Sequence, residues 1–419
     1  MLSRRVRSNR LQKILAIGVI ATGGLWAGLH SWSDPEPGPI RIGVLHSLSG
    51  TMAVSESPLV DAIRLAVEEI NRNGGLLGRP LEMIVADGRS DDREFATLAR
   101  RMIERDRVSA LFACWTSSCR KTIKPIVEKH QHLMFYPVQY EGLESSRNIV
   151  YAGSVLNQQL IPGIRWASER FGKRWYVIGS DYIFPRTASV IVRDVASATG
   201  ATLLKESYKP LGSRDFADIA EEIRRLQPDL VINTVNGDSN IHLFETLRQS
   251  RLSHVPVLSF SVSETELQAI GSASYHPNHY AVWSYFQSLP NEANRAFVEA
   301  YKRRFGAERV TSDPILASHD SVLLWATAVR AAGTANPGSV NQALATVSIS
   351  SPSGIVAIDN ETRHLWKFAR VGRALANAQF ELLYATPQTL RPMPFPIHRS
   401  RPEWQQISER LQTSGSVMP

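Results

Sequence analysis

Cysteine is almost absent from this chain: two residues in 419, Cys114 and Cys119. So low a count excludes a disulfide-built scaffold. No histidine or further cysteine stands at a ligand-like spacing from the pair, so no metal site is expected. The two read as small buried thiols, with a bridge across the short loop as the alternative in an oxidising compartment. No cysteine lies near the start of the chain, which removes lipid attachment through an N-terminal cysteine. A run long enough for a bilayer is also missing. Ile14 to Leu29 carries no charge over sixteen residues, short of the roughly 20 that a spanning helix needs. A Gly-x-Ser-x-Gly elbow, a phosphate loop and a clustered histidine motif are absent, which leaves enzyme classes little footing and implies no cofactor. Basic stripes interleaved with aromatics are absent too, so a nucleic-acid partner is not expected.

What is present is an ordinary globular composition, 43% hydrophobic and 21% charged, in a chain long enough for two domains. The net charge of +8 is uneven: Arg4, Arg5, Arg7, Arg10 and Lys13 precede any acidic residue, and without them +3 remains. A cationic segment before a short apolar core reads as an export signal over residues 1–30. No clean cleavage site follows, so an uncleaved anchor in the inner membrane stays open. Residues 31–39 read as a linker.

From Ile40 onward, short apolar runs alternate with amphipathic segments, such as Leu59, Ala62, Ile63, Ala66, Val67 and Ile70 on one helical face before Asn73-Gly74-Gly75. The repeated unit predicts right-handed βαβ crossovers in parallel sheets. There are too many strands for one open sheet and too few units for a (β/α)₈ barrel, so the expected fold class is α/β with two doubly wound lobes. Gly354 to Ile358 and Leu365 to Val371, flanking Asp359-Asn360, read as an antiparallel hairpin. The proline-rich stretch from Pro387 reads as a surface tail.

Three strands end in polar and aromatic loops: Val108 to Ala113 before Cys114-Trp115-Thr116-Ser117, His132 to Phe135 before Tyr136-Pro137-Val138-Gln139, and Trp175 to Ile178 before Ser180-Asp181-Tyr182-Ile183-Phe184. Ligands of such sheets sit beyond the carboxyl ends of the strands, beside helix N-termini, so one small polar ligand is expected there.

Six blocks then match a family: Gly43 to Ala53, Glu68 to Asn71 with Gly74 to Gly78, Cys114 to Ser117 with Arg120-Lys121, Phe135 to Glu144, Gly179 to Thr187, and Asn236 to Asn240. Together they closely resemble the urea-binding proteins of bacterial ABC transporters. These group with short-chain-amide sensors and branched-chain amino-acid receptors as type I periplasmic binding proteins. The resemblance covers roughly Ile40 to Leu383. It implies lobes built from 40–152 plus 283–340 and from 153–282 plus 341–386, with 387–419 as a tail. Three crossovers would join the lobes, which close on a ligand without catalysis. By position, Trp115, Ser117, Tyr136, Val138 and Gln139 of one lobe, and Tyr182 and Phe184 of the other, would line the site. Cys119 departs from the urea proteins' usual residue.

Urea offers one carbonyl acceptor and four N–H donors, and each one buried unpaired costs about 1–3 kcal/mol. Ser117 and backbone N–H groups near Thr116 would donate to the carbonyl. Gln139, Asp238 and Glu264 would accept from the amides, while Tyr136, Tyr182 and Trp115 enclose the plane. Each has a plainer reading: Ser117 and Asp238 as helix caps, Glu264 as a first-turn acid, Trp115 and Tyr182 as packing, and Arg120-Lys121 as a solvated or interlobe charge pair. The expected function is a periplasmic solute-binding protein that delivers urea or a short amide to ABC permease subunits. A membrane-held sensor of the same fold is the alternative, and an amide hydrolase, from Gly237-Asp238-Ser239, the weaker one.

Overall fold

The structure, a computed structural model, describes residues 38–414; the expected signal or anchor lies outside them. Strands form where β-branched and aromatic runs are short and uninterrupted. Helices follow wherever apolar residues recur on one face. The first half runs β1 (Ile40–His46), α1 (Ala53–Arg72), β2 (Leu81–Asp87), α2 (Asp92–Glu104), β3 (Leu111–Ala113), α3 (Ser117–Lys129), β4 (Met134–Tyr136) and β5 (Ile149–Tyr151). These strands make one wholly parallel sheet, ordered β2-β1-β3-β4-β5.

The chain crosses into the second half as α4 (Leu160–Phe171), β6 (Arg174–Ser180), α5 (Ile183–Thr199), β7 (Thr202–Lys209), α6 (Ala217–Leu226), β8 (Leu230–Thr234), α7 (Ser239–Gln249), β9 (Val257–Ser259), α8 (Glu264–Ile270) and β10 (His279–Trp283). It returns with α9 (Glu292–Phe305), α10 (Asp313–Ala332), α11 (Pro337–Ala343), β11 (Ser348–Ser351) and β12 (Gly354–Ala357). A third passage leads to β13 (Arg370–Ala374) and β14 (Phe380–Ala385), antiparallel additions at one edge of the second sheet, and finally to α12 (Arg401–Ser414). The second sheet is ordered β14-β13-β10-β9-β8-β6-β7. This is the expected α/β fold of two doubly wound lobes with three crossovers. Each sheet carries apolar cores on both faces, as parallel sheets require. Leu344, Val356, Ile358 and Leu365 pack in the first lobe's core, so that core continues past residue 340.

One sequence expectation is corrected, and two elements were not anticipated. The hairpin at Asp359-Asn360 does not form: Gly354–Ala357 pairs with Ser348–Ser351, and only Ile358 and Leu365 bridge across the wider turn. The turn at Pro352-Ser353 is the tighter closure, whereas Asp359 spends its carboxylate on the amides of Glu361 and Thr362. β5 was not anticipated, because three buried residues carry no period. The tail is not featureless. It ends in α12, whose Trp404 is fully buried and donates its indole N–H to the Pro396 carbonyl at 2.6 Å.

Candidate functional site

All the loops that matter leave the carboxyl ends of strands, where the two halves face each other. After β3, Cys114 takes a left-handed backbone (φ 71°) and turns the chain sharply. Thr116, in extended conformation, caps α3: its hydroxyl oxygen accepts from the Cys119 amide at 3.1 Å. Cys114 and Cys119 are joined in a disulfide with Cα atoms 5.8 Å apart. The reading as two thiols is thereby corrected; the reversal at Cys114 and the first turn of α3 bring two positions five apart within bridging range.

Ser117 is the first helical residue, and the cap itself is Thr116. The Ser117 hydroxyl donates to Glu141 Oε2 at 2.5 Å and accepts from Arg120 Nη1 at 3.0 Å. Arg120 is completely buried, not a solvated or interlobe charge. Its Nε reaches Glu144 Oε1 and its Nη2 reaches Glu141 Oε1, both at 2.9 Å, and Lys121 meets Glu144 Oε2 at 3.0 Å. The guanidinium lies over the rings of Tyr136 (4.8 Å) and Tyr140 (4.1 Å). Burial would lower its proton affinity, but Glu144 and Glu141 hold it well above the usual value. Burial would likewise raise Glu144; Arg120 and Lys121 hold it well below the carboxylate range instead. Two cations and two carboxylates therefore cancel within one lobe.

Tyr136 donates its phenol to the Trp115 carbonyl, and Val138 is buried beside it. From the second lobe, Tyr182 stands just before α5, with Phe184 in its first turn, ring centroids 6.3 Å apart. Burial raises the Tyr182 phenol well above its usual value, with smaller contributions from Tyr136 and Glu141. Tyr182 thus faces the first lobe's cluster.

Several polar links cross between the lobes. The Trp115 indole N–H donates to Asn236 Oδ1 at 3.2 Å. Gln139 Nε2 donates to the Phe260 carbonyl at 3.0 Å and to Ser261 Oγ at 3.3 Å. Thr51 donates to Asp238 Oδ1, and Ser55 donates to Glu266 Oε1 at 2.7 Å. Asp238 does not cap α7 through its side chain. Gly237 (φ 67°) lets the second lobe come close: a Cβ there would lie 2.7 Å from the Thr51 carbonyl. Glu264 turns toward the second crossover, where its Oε1 accepts from the Gln287 amide at 2.7 Å. Burial pushes its carboxyl up to about 8.

The structure therefore brings Trp115, Thr116, Ser117, Tyr136, Val138, Gln139, Tyr182, Phe184 and Asp238 to the facing strand ends, and sets Glu264 at the hinge side. Gln139 Oε1, Ser239 Oγ and Glu264 Oε2 are buried acceptors without a hydrogen-bond partner. Ser239 consequently has no base at its hydroxyl. A cavity of about 640 Å³ opens between the lobes, lined by residues including Thr51, Asp92, Thr116, Lys121, Tyr182 and Leu411. Sequence reasoning missed Arg120, Glu141, Asn236 and Thr51 as parts of the site. All four stand in the quoted blocks, but none could be paired before the fold was known. Among the described residues, no group of three or more His, Cys, Asp or Glu is placed to hold a metal ion, and no helix is long and apolar enough to cross a membrane.

The sequence matches the family described as "Periplasmic binding protein domain" over residues 40–401. It is 21% identical over 365 residues to the leucine-, isoleucine-, valine-, threonine- and alanine-binding protein of Pseudomonas aeruginosa, covering 84% of this chain and 93% of that one. A limonene hydroxylase of Geobacillus stearothermophilus is 28% identical over 122 residues only, 29% of this chain and 22% of that protein. The solute-binding protein of an ABC transporter from Rhodopseudomonas palustris, solved with 3,4-dihydroxybenzoic acid, superposes with a TM-score of 0.77 at 19% identity, over 84% of this chain and 99% of that one. With two parallel-sheeted lobes meeting at their strand ends, this chain belongs to the type I periplasmic binding proteins.

Proposed function

We propose that the protein is a periplasmic solute receptor that encloses urea or a short-chain amide between its lobes and passes it to the permease of an ABC transporter. The observation that carries the ligand class is that the cations of the site are already paired. Arg120 and Lys121 are spent on Glu141 and Glu144, Asp238 is held by Thr51, and burial favours the neutral form of Glu264. The carboxylate of an amino acid or of an aromatic acid would bury an anion with no free cation among these side chains, at a cost of several kcal/mol per ion. A neutral amide avoids that cost, and its N–H groups suit the unpartnered Gln139 Oε1. The buried disulfide suits an oxidising compartment, in keeping with export.

Calorimetric titration of the purified chain with urea, formamide, acetamide, leucine and 4-hydroxybenzoate tests the reading. Heat of binding is expected with urea or a short amide. Binding of leucine or the benzoate alone would overturn the ligand class.

A further inference from the structure

We infer that the Cys114–Cys119 disulfide is a positioning element of the ligand site, a clasp that sets the geometry of Trp115, Thr116 and Ser117. The ligand side of this inference rests on the amide-receptor reading; the geometry does not. Both sulfurs are buried, and the bond encloses only Trp115 to Ser118. Three of those four residues meet a separate part of the site. Trp115 donates across the lobes to Asn236. Thr116 both caps α3 and lines the interlobe cavity. Ser117 sits between Arg120 and Glu141. The loop reaches these partners only because Cys114 holds a left-handed backbone, which side-chain-bearing residues seldom adopt. The far end of the bond is Cys119, whose own amide is the one Thr116 caps. One covalent tie thus joins the left-handed end of β3 to the first turn of α3. So short a loop constrains the unfolded chain less than a long one would, so the consequence is chiefly local.

The test uses the full chain with the Cys114→Ser/Cys119→Ser replacement, titrated with urea and with acetamide. Affinity is expected to fall at least about tenfold, with a retained cooperative unfolding transition. A double-mutant cycle separates positioning from general stability. Trp115→Phe should weaken binding markedly in the intact chain, yet by less than about twofold once the disulfide is gone. A readout without ligand is hydrogen exchange of the segment 113–122. The Cys119 and Arg120 amides, both held by Thr116, should exchange at least about tenfold faster in the variant. Should the serine variant fail to fold, Cys114→Gly/Cys119→Ala carries the same measurements, since glycine accepts the left-handed backbone. Unchanged affinity with unchanged exchange would overturn the inference. If neither amide binds the intact chain, the ligand reading falls, and the exchange result alone decides whether the bond positions the loop.

Discussion

Arg120 shows how a single side chain can organise a candidate binding site without offering it a free charge. It is buried with its guanidinium divided between Glu144, Glu141 and Ser117 and roofed by two tyrosines. Removing one member of such a cluster leaves the others buried and unpaired, which costs about 3–5 kcal/mol. Arg120→Met is therefore expected to lower unfolding stability by that amount. Adding Glu141→Gln and Glu144→Gln should recover much of the loss. Guanidinium unfolding is the suitable measurement, because urea is itself a candidate ligand. Glu264 makes a pH prediction. Its carboxyl titrates near 8 in the fold, where burial outweighs the Gln287 amide, against about 4.3 unfolded. Below pH 4 both states are protonated and the group contributes no pH dependence. Between about 4 and 8 only the unfolded chain has lost its proton, so stability falls as pH rises, and it levels off above 8. Glu264→Gln keeps an acceptor for Gln287 and should flatten this slope, making the variant more stable than the parent at pH 8. An unchanged slope in guanidinium midpoints from pH 5 to 8 would remove Glu264 as its source.

At the scale of elements, the tail helix α12 is the clearest case for a test. Trp404 is buried in the core it shares with α5 residues such as Val192 and Val195, and Arg399 makes a two-pronged ion pair with Asp194. Trp404→Ala removes the anchor of the segment, a truncation worth about 3–5 kcal/mol in a full core and less if the helix detaches alone. Limited trypsin digestion should then cut at Arg399 or Arg410 well before the lobes are attacked, while the parent resists. The same element shows where sequence reading stops. α1, α9 and α10 were legible because their apolar residues repeat over three turns or more, and β6 and β8 because each is a clean apolar run. β5 has three residues, and α12 follows four prolines and buries one large aromatic, so neither offers a period to detect. The site divides in the same way. Trp115, Ser117, Tyr136, Gln139 and Tyr182 announce themselves as polar and aromatic residues at strand ends. Arg120–Glu141–Glu144 is a pairing across 21 and 24 positions, which composition cannot reveal. The bridge between the cysteines likewise depended on a left-handed residue that no local pattern forces on Cys114.

For the whole molecule, the proposed function turns on an equilibrium between lobes apart and lobes together. The contacts Trp115–Asn236, Thr51–Asp238, Ser55–Glu266 and Gln139–Phe260 exist only when the strand ends meet. Each contributes to the closed arrangement without belonging to either lobe's fold. A ligand held between the lobes draws on that contribution, since its apparent affinity scales with the population of the closed form. Thr51→Val keeps the shape at the lobe face but removes the hydroxyl that Asp238 accepts from, and Asp238 is only half-buried, so water can replace it at modest cost. A lost hydrogen bond to a charged group is worth about 1.5–3 kcal/mol at most, and less where solvent reaches. The expected result is a roughly three- to tenfold rise in Kd for the bound amide, chiefly through faster release, with an unchanged unfolding midpoint in the absence of ligand. Stopped-flow release and guanidinium unfolding on one preparation check both halves. A Kd unaltered by Thr51→Val would mean that closure draws nothing from this link, and a fallen midpoint would place Thr51 in the stability of the lobes.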